Sequence, residues 1–147
     1  MATNSKAPDH IEFAGDYDCK HIFLHTHTGE VIDIKNLTDE LNIYESIYKN
    51  AMTGSVVMTD AQNLIAKLQI QGMERLSFVI RTPGTTNDRD IVNASETSGH
   101  PFHIYKITNR VQTAPGTLRY VLHFGSREFM RNLRTKVSKA YEGTIDR

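Results

Sequence analysis

The sequence predicts a mainly β protein, an antiparallel β-sandwich or barrel flanked by a C-terminal α-helix. Several short segments alternate apolar and polar residues, Gly, Pro, Asn and Asp separate these segments, and the clearest helical spacing of apolar residues occurs near the C-terminal end. The length of 147 residues is sufficient for one domain with a substantial core. We expect a flexible N-terminal arm over the polar residues 1–20, followed by a single domain over residues 21–147.

The first predicted elements are two strands joined by a tight turn. Residues 21–26 and 31–35 have strand-like composition, and the turn between them contains Gly29. Residues 41–48 alternate in a similar way, which predicts another strand. The inner face of that strand is expected to carry Leu41, Ile43 and Ile47. Residues 55–59 continue as a strand.

The middle of the chain predicts a short helical stretch, a strand and a second hairpin. Asp60 is placed to cap a helical stretch over residues 63–68. Residues 74–81 alternate, with the apolar set Leu76, Phe78 and Ile80 pointing to one side. Residues 82–101 are rich in Gly, Thr, Ser and Asn, and we expect a long loop that is functional or disordered. Residues 102–111 and 117–124 then form a hairpin around a turn that contains Pro115 and Gly116.

A helix near the C-terminus is the clearest single element of the sequence. Ser126 is placed to cap its start, and Glu128 lies in its first turn, near the positive end of the helix dipole. Apolar residues recur at helical spacing and are expected to face the sheets. These residues are Phe129, Met130, Leu133, Val137, Ala140 and Tyr141. Gly143 is expected to end the helix.

The charge of the chain is unevenly distributed although its net charge is zero. Residues 1–100 contain 8 Lys and Arg against 14 Asp and Glu, whereas residues 101–147 contain 9 against 3. The outer face of the predicted helix is strongly basic, and we expect it to bind an acidic protein surface. The predicted interface residues are Arg127, Arg131, Arg134, Lys136 and Lys139. A nucleic-acid-binding helix is a weaker alternative, because its charged face has no interleaved aromatic residues.

The sequence also indicates the cellular compartment in which the protein is expected. Cys19 is the only cysteine, so no intramolecular disulfide is expected, and this agrees with assembly in a reducing cytoplasm. The first residues lack the apolar core of a signal peptide, and no apolar run is long enough for a membrane span. We therefore expect neither export nor a membrane partner.

The histidines near the start of the domain are the most obvious candidates for chemistry. On a continuous strand His25 and His27 share a face, and two imidazoles at that spacing can chelate a metal ion. A nucleophilic Cys19 would need a positioned histidine, and His21 is the nearest in sequence. No second ligand pair follows at zinc-finger spacing. We therefore expect no catalytic residue, metal or cofactor, and keep a small metal-dependent hydrolase using His21, His25 and His27 as the alternative class.

Three stretches of the sequence are the basis for a comparison with a known family. They are IYESIYKNAMTGSVVMTDAQNLI at 43–65, QGMERLSFVIRTPG at 71–84 and YVLHFGSREFMRNLRTKVSKAYEG at 120–143. On these stretches the chain resembles the first tail-tube-like domain of the baseplate hub proteins of T4-like contractile-tailed bacteriophages. The resemblance extends over about residues 38–143, and it concerns structural rather than catalytic motifs.

The resemblance implies a tail-tube-like fold and a structural role in the virion. Copies of such a domain continue a ring, as a trimer or a hexamer, and contact tail tube, baseplate and spike proteins. DNA is then only cargo that passes through the lumen. The expected location is the tail baseplate of the virion, after assembly in the host cytoplasm. Because a hub chain is longer, a tail tube or tube-initiator protein of the same fold remains an alternative.

Overall fold

The protein is mainly β, as the sequence predicts. The computed structural model describes residues 16–72, 74–84 and 91–136, together with 138, 140 and 142. Within these residues one antiparallel sheet of eight strands is accompanied by one helix of more than two turns. The strands are β1 (Asp18–His25), β2 (Val31–Asp33), β3 (Thr38–Tyr44), β4 (Thr53–Asp60), β5 (Arg75–Arg81), β6 (Ile91–Ala94), β7 (Phe102–Ala114) and β8 (Thr117–Gly125). The helices are α1 (Leu64–Leu68), α2 (Arg127–Arg134) and a one-turn 3-10 helix at Lys35–Leu37.

The sheet divides at β5. Its strand order is β2-β1-β5-β7-β8-β4-β3, and β6 pairs with β5 beside this path. One edge of β5 pairs with β1. The other edge pairs with two strands, β7 and β6. Arg75 and Leu76 pair with β7, and the part from Phe78 to Arg81 pairs with β6. Because β5 and β7 share only these two residue pairs, the two parts of the sheet can diverge and enclose a core between them.

Three aromatic rings fill the core next to this junction. The Phe102 ring centroid lies 5.6 Å from that of Phe78 and 4.8 Å from that of Phe124. The Phe78 and Phe124 centroids are 6.2 Å apart in an edge-on arrangement. Such pairs contribute about 0.5–1.5 kcal/mol each beyond the burial of their area. The rest of the fully buried apolar set comes from β1, β4, β5, β7, β8 and the residue before the 3-10 helix: Leu24, Ile34, Val56, Met58, Leu76, Ile104, Tyr120 and Leu122.

Two glycines leave room for aromatic side chains. A Cβ atom at Gly54 in β4 would overlap both the Phe124 ring and the carbonyl oxygen of Asn42. A Cβ atom at Gly125, the last residue of β8, would lie 2.5 Å from the ring of Phe129. The Phe129 ring also packs on Tyr105 of β7, with centroids 5.0 Å apart. Gly125 therefore allows α2 to lie directly on the end of the sheet.

Most predicted elements are confirmed. The first hairpin is β1 and β2, with Gly29 at a φ of 90° in its turn. The second is β7 and β8, joined by a two-residue turn in which Gly116 has a φ of 77°. The short helix appears as α1. Asp60 caps it, because its carboxylate accepts the backbone N–H of Gln62 at 2.8 Å and of Leu64 at 2.7 Å.

The predicted strand over 41–48 ends earlier than expected. β3 stops at Tyr44, and Ile47, which was expected on the inner face, is 92% exposed in the turn before β4. The pairing of Tyr44 with Thr53 is the last one between β3 and β4. The residues between these two therefore lie outside the sheet. At the other end, β1 includes residues 18–20 of the predicted arm, and Cys19 is buried. Residues 1–15 lie outside the described part.

The predicted long loop and the predicted long helix also need correction. The loop over 82–101 contains β6, whose Ala94 is buried against the sheet. The helix ends at Arg134, where Thr135 adopts an extended conformation while its N–H still bonds to the carbonyl oxygen of Arg131. Leu133, expected in the core, is 63% exposed because the helix contacts the sheet through its first turns. Val137, Tyr141 and Gly143 lie outside the described residues.

We expect Phe124→Ala and Leu133→Ala to differ strongly in stability. Phe124 is fully buried among aromatic rings, so its truncation should lower the free energy of unfolding by about 3–5 kcal/mol. Leu133 is largely exposed, so its truncation should cost no more than about 0.5 kcal/mol. Urea denaturation of the two variants and the parent measures both. A loss at Leu133 comparable to that at Phe124 would contradict the placement of α2.

Candidate functional site

One end of the sheet gathers residues from distant parts of the chain. Gly125 at the end of β8 pairs with Thr53 of β4 and with His103 of β7. His103 in turn pairs with Arg75 of β5. The N–H of Ser126 donates to the carbonyl oxygen of Met52 at 2.9 Å, which ties the start of α2 to the β3–β4 connection. We call this region, with α2 and the β3–β4 connection, the α2 end.

An open cleft of about 390 Å³ at the α2 end is lined by four arginines. Three belong to α2 and the fourth is Arg75 of β5. We call it the arginine cleft, and its lining residues are Gly72, Arg75, His103, Arg127, Met130, Arg131 and Arg134. The three α2 arginines are exposed. In the described part of the chain no carboxylate forms a salt bridge with them, whereas Arg75 Nε donates to Glu96 Oε1 at 2.6 Å.

His103 lies in the cleft, where burial and positive charge both act on its imidazole. Burial lowers the pKa of the His103 imidazole below its usual 6.5, and the neighbouring guanidinium of Arg75 lowers it further. Glu96 acts in the opposite direction, and the charges of Arg127 and Arg134 lower the pKa again. Several guanidinium groups that line one cleft favour the binding of an anion, which would relieve their mutual repulsion.

A buried carboxylate holds the turn that forms one side of the cleft. Glu74 is fully buried, and its carboxylate accepts the backbone N–H of Gln71 at 2.8 Å and that of Gly72 at 2.7 Å. Its own carbonyl oxygen accepts the N–H of Ile104 in β7. A buried charge of this kind needs such partners, since an unpaired one would be costly. Glu74 is therefore a structural group that positions Gly72 and the start of β5.

The β3–β4 connection exposes an unusual apolar group at the same end. Ile47 is 92% exposed, Tyr48 is 91% exposed, and Tyr44 is more than half exposed. Glu45 lies between them in sequence and is exposed as well. We call residues 44–48 the hairpin tip. Large apolar side chains grouped on a protruding turn are typical of a surface that contacts another molecule.

The structure brings together three of the five predicted interface residues. Arg127, Arg131 and Arg134 line the arginine cleft. Lys136 follows the helix and is exposed, and Lys139 lies outside the described residues. Sequence reasoning missed Arg75 and His103, because their proximity to α2 depends on the register between β5 and β7. It also missed the hairpin tip, because residues 41–48 were predicted as one strand with Ile47 on its inner face.

The three candidate metal-binding histidines have separate partners. His21 Nδ1 lies 2.6 Å from Asp33 Oδ2, His25 Nε2 lies 2.6 Å from Ser77 Oγ, and His27 Nδ1 lies 3.9 Å from Glu74 Oε1. β1 ends at His25, so His27 lies in the turn and does not share a strand face with it. Among the described residues, no three His, Cys, Asp or Glu side chains are grouped as ligands of a metal ion.

Two possible nucleophiles near these histidines are both buried. Ser77 contacts His25, whose Nδ1 lies 3.9 Å from Glu96 Oε1, but only 4% of Ser77 is exposed and the same Glu96 oxygen accepts from Arg75. Burial raises the pKa of the Cys19 thiol, which favours the protonated and unreactive form. The contact between His25 and Ser77 joins β1 to β5, and little of either possible nucleophile is exposed.

No family model matches this sequence, and no curated protein is significantly similar to it. Within the described ranges, no helix has both the length and the apolar character that crossing a membrane requires. The features that indicate a role are therefore those of the chain itself, the arginine cleft and the hairpin tip at the α2 end.

We expect the pKa of His103 to rise when an arginine of the cleft is neutralised. In Arg75→Gln the charge that most strongly disfavours the imidazolium is removed, so the pKa should move upward toward 6.5. NMR titration of the His103 ring in both proteins measures the change. Lys67→Gln, which removes an exposed charge in α1, is the matched control and should leave the pKa unchanged. An unchanged value in Arg75→Gln would contradict the effect of the cleft arginines on His103.

Proposed function

We propose that this chain is a structural virion protein of a phage tail. In this proposal it is a component of the baseplate hub, at the junction of the tail tube with the baseplate and spike, and it has no enzymatic activity. The observation that carries the proposal is the α2 end, where three exposed arginines of α2, which form no salt bridge among the described residues, line a cleft, and where an apolar hairpin tip is exposed at the same end of the sheet. Both features are suited to protein contacts. The sequence resemblance to hub proteins supports the same role.

The architecture of the sheet also favours assembly. β2 and β3 are the two ends of the strand path, and each has one edge that lacks a neighbouring strand in that path. Unpaired strand edges attract other strands, so proteins either protect them or use them in contacts. A ring in which neighbouring copies lie against these edges would cover them. A ring of three or six copies is the arrangement that the predicted tail-tube-like fold requires.

The partners in this proposal are other copies of the chain and the tail tube, baseplate and spike proteins. DNA passes through the lumen as cargo only, and no membrane is involved. A tail tube or tube-initiator protein is the alternative within the same structural class, since both would use the same ring contacts. Assembly would take place in the host cytoplasm, and the final location is the tail baseplate of the virion.

We expect the double variant Arg131→Glu with Arg134→Glu to fold normally but to lose ring formation. Both side chains are exposed, so thermal unfolding of the monomer should hardly change. Exposed ion pairs contribute only about 0–1 kcal/mol each, but a ring repeats each contact at every junction, so their loss adds up. Sedimentation and negative-stain electron microscopy at moderate salt measure the rings.

The matched control carries Lys106→Glu with Arg110→Glu on β7. It makes the same change in net charge at exposed positions outside the arginine cleft, and it should still form rings. Normal assembly of the Arg131 and Arg134 variant would show that the helix face is only solvated. Absence of rings in the unaltered chain, alone and with tail proteins, would contradict the proposed function itself.

A further inference from the structure

The hairpin tip combines the features of an inserting element. It lies in the connection between β3 and β4, and its side chains Ile47 and Tyr48 are almost completely exposed. Glu45 brings a carboxylate into the same turn. Among the described residues no salt bridge joins this carboxylate to a Lys, Arg or His of the same chain. The tip therefore presents one acidic group flanked by aromatic and aliphatic surface.

The arginine cleft has the complementary chemistry. Guanidinium groups bind carboxylates through paired hydrogen bonds and stack on aromatic rings, so arginines suit a tyrosine-rich acidic segment better than lysines would. Met130 lines the cleft and Leu133 is exposed on the same helix, which provides apolar surface beside the charges. Tyr and Arg are also the residue types most often found at the centre of protein interfaces.

In a ring whose axis runs along the strands, the tip and the cleft would lie at the same height. Both lie at the α2 end, because Thr53, which follows the tip, pairs with Gly125, which precedes α2. Around the sheet, however, β3 and β5 are separated by four strand spacings, or roughly 19 Å. In a cyclic ring all copies point the same way along the axis, so a contact between two different patches must join patches at the same height.

We propose that the hairpin tip of one copy inserts into the arginine cleft of the next copy. Glu45 then binds Arg131 and its neighbours, while Ile47 and Tyr48 pack on the exposed side of α2. This inference rests on the proposed function, since it names the contact by which copies join. The contact is head-to-tail, so each copy uses its tip on one side and its cleft on the other.

The size of the contact limits its role. A stable protein interface buries roughly 800 Å² on each partner, which is more than five residues of a turn provide. The tip and the cleft therefore fix the orientation and register of neighbouring copies, and strand edges supply the remaining area. Charge pairs at the centre of an otherwise apolar contact are suited to this task, because they discriminate strongly against a wrong partner.

Charge reversal on either side, and on both sides together, tests the proposal. Glu45→Arg alone and Arg131→Glu alone should each weaken ring formation by about tenfold, as charge repulsion replaces attraction at every junction. The chain with both changes should recover most of this loss, since every reversed tip then meets a reversed cleft. Sedimentation at several protein concentrations measures the assembly. Both residues are exposed, so monomer unfolding should be unaffected.

A second pair of variants tests the apolar part of the contact. Ile47→Ser should also weaken assembly, whereas Val111→Ser, at another exposed apolar position on β7, should not. If the unaltered chain forms rings but Glu45→Arg or Ile47→Ser leaves them unchanged, the inference is wrong and the proposed function stands. Loss in both single reversals without recovery in the combined chain would show that the cleft binds a different surface, which also overturns the inference.

Discussion

The packing of Phe78, Phe102 and Phe124 is the interaction on which the other features of the structure depend. These rings lie where β5 pairs with β7, and backbone pairing there amounts to two residues on each strand. So short a junction would be weak without the large apolar area that three buried rings remove from water. The rings can approach because Gly54 leaves space above Phe124 that no other residue type would leave. The junction in turn keeps the two diverging parts of the sheet around one core.

The packing at the junction of β5 and β7 also determines the surface at the α2 end. Phe124 is buried, and the next residue, Gly125, accepts the ring of Phe129, so that α2 lies on the end of the sheet with Arg127, Arg131 and Arg134 facing outward. The register between β5 and β7 at this junction also places Arg75 beside His103. The position of the arginine cleft, and with it that of the proposed assembly contact, therefore depends on the packing of the aromatic cluster.

The sequence predicted elements whose signals are local. Alternation placed Leu76 and Phe78 correctly, and the Pro115 and Gly116 turn located the second hairpin. Leu133 was misplaced because helical periodicity shows which residues share a face, but not how far the sheet extends beneath that face. β6 was missed because its pairing partner lies across a segment that resembles a loop. The cleft needed Arg75 and His103 together, and that depends on long-range register, which no local pattern contains.

The central claim is that copies of this chain join through the α2 end. Cross-linking across the proposed contact tests it most directly, with Ser46→Cys in the tip and Asn132→Cys on α2, which leave the charges intact. The natural Cys19 is buried, so a short bis-maleimide should react at the two new sites. The account predicts covalently linked multimers when both changes are in one chain, and only monomers or simple dimers with either change alone. Rings that form normally but remain unlinked in the chain with both cysteines would contradict it.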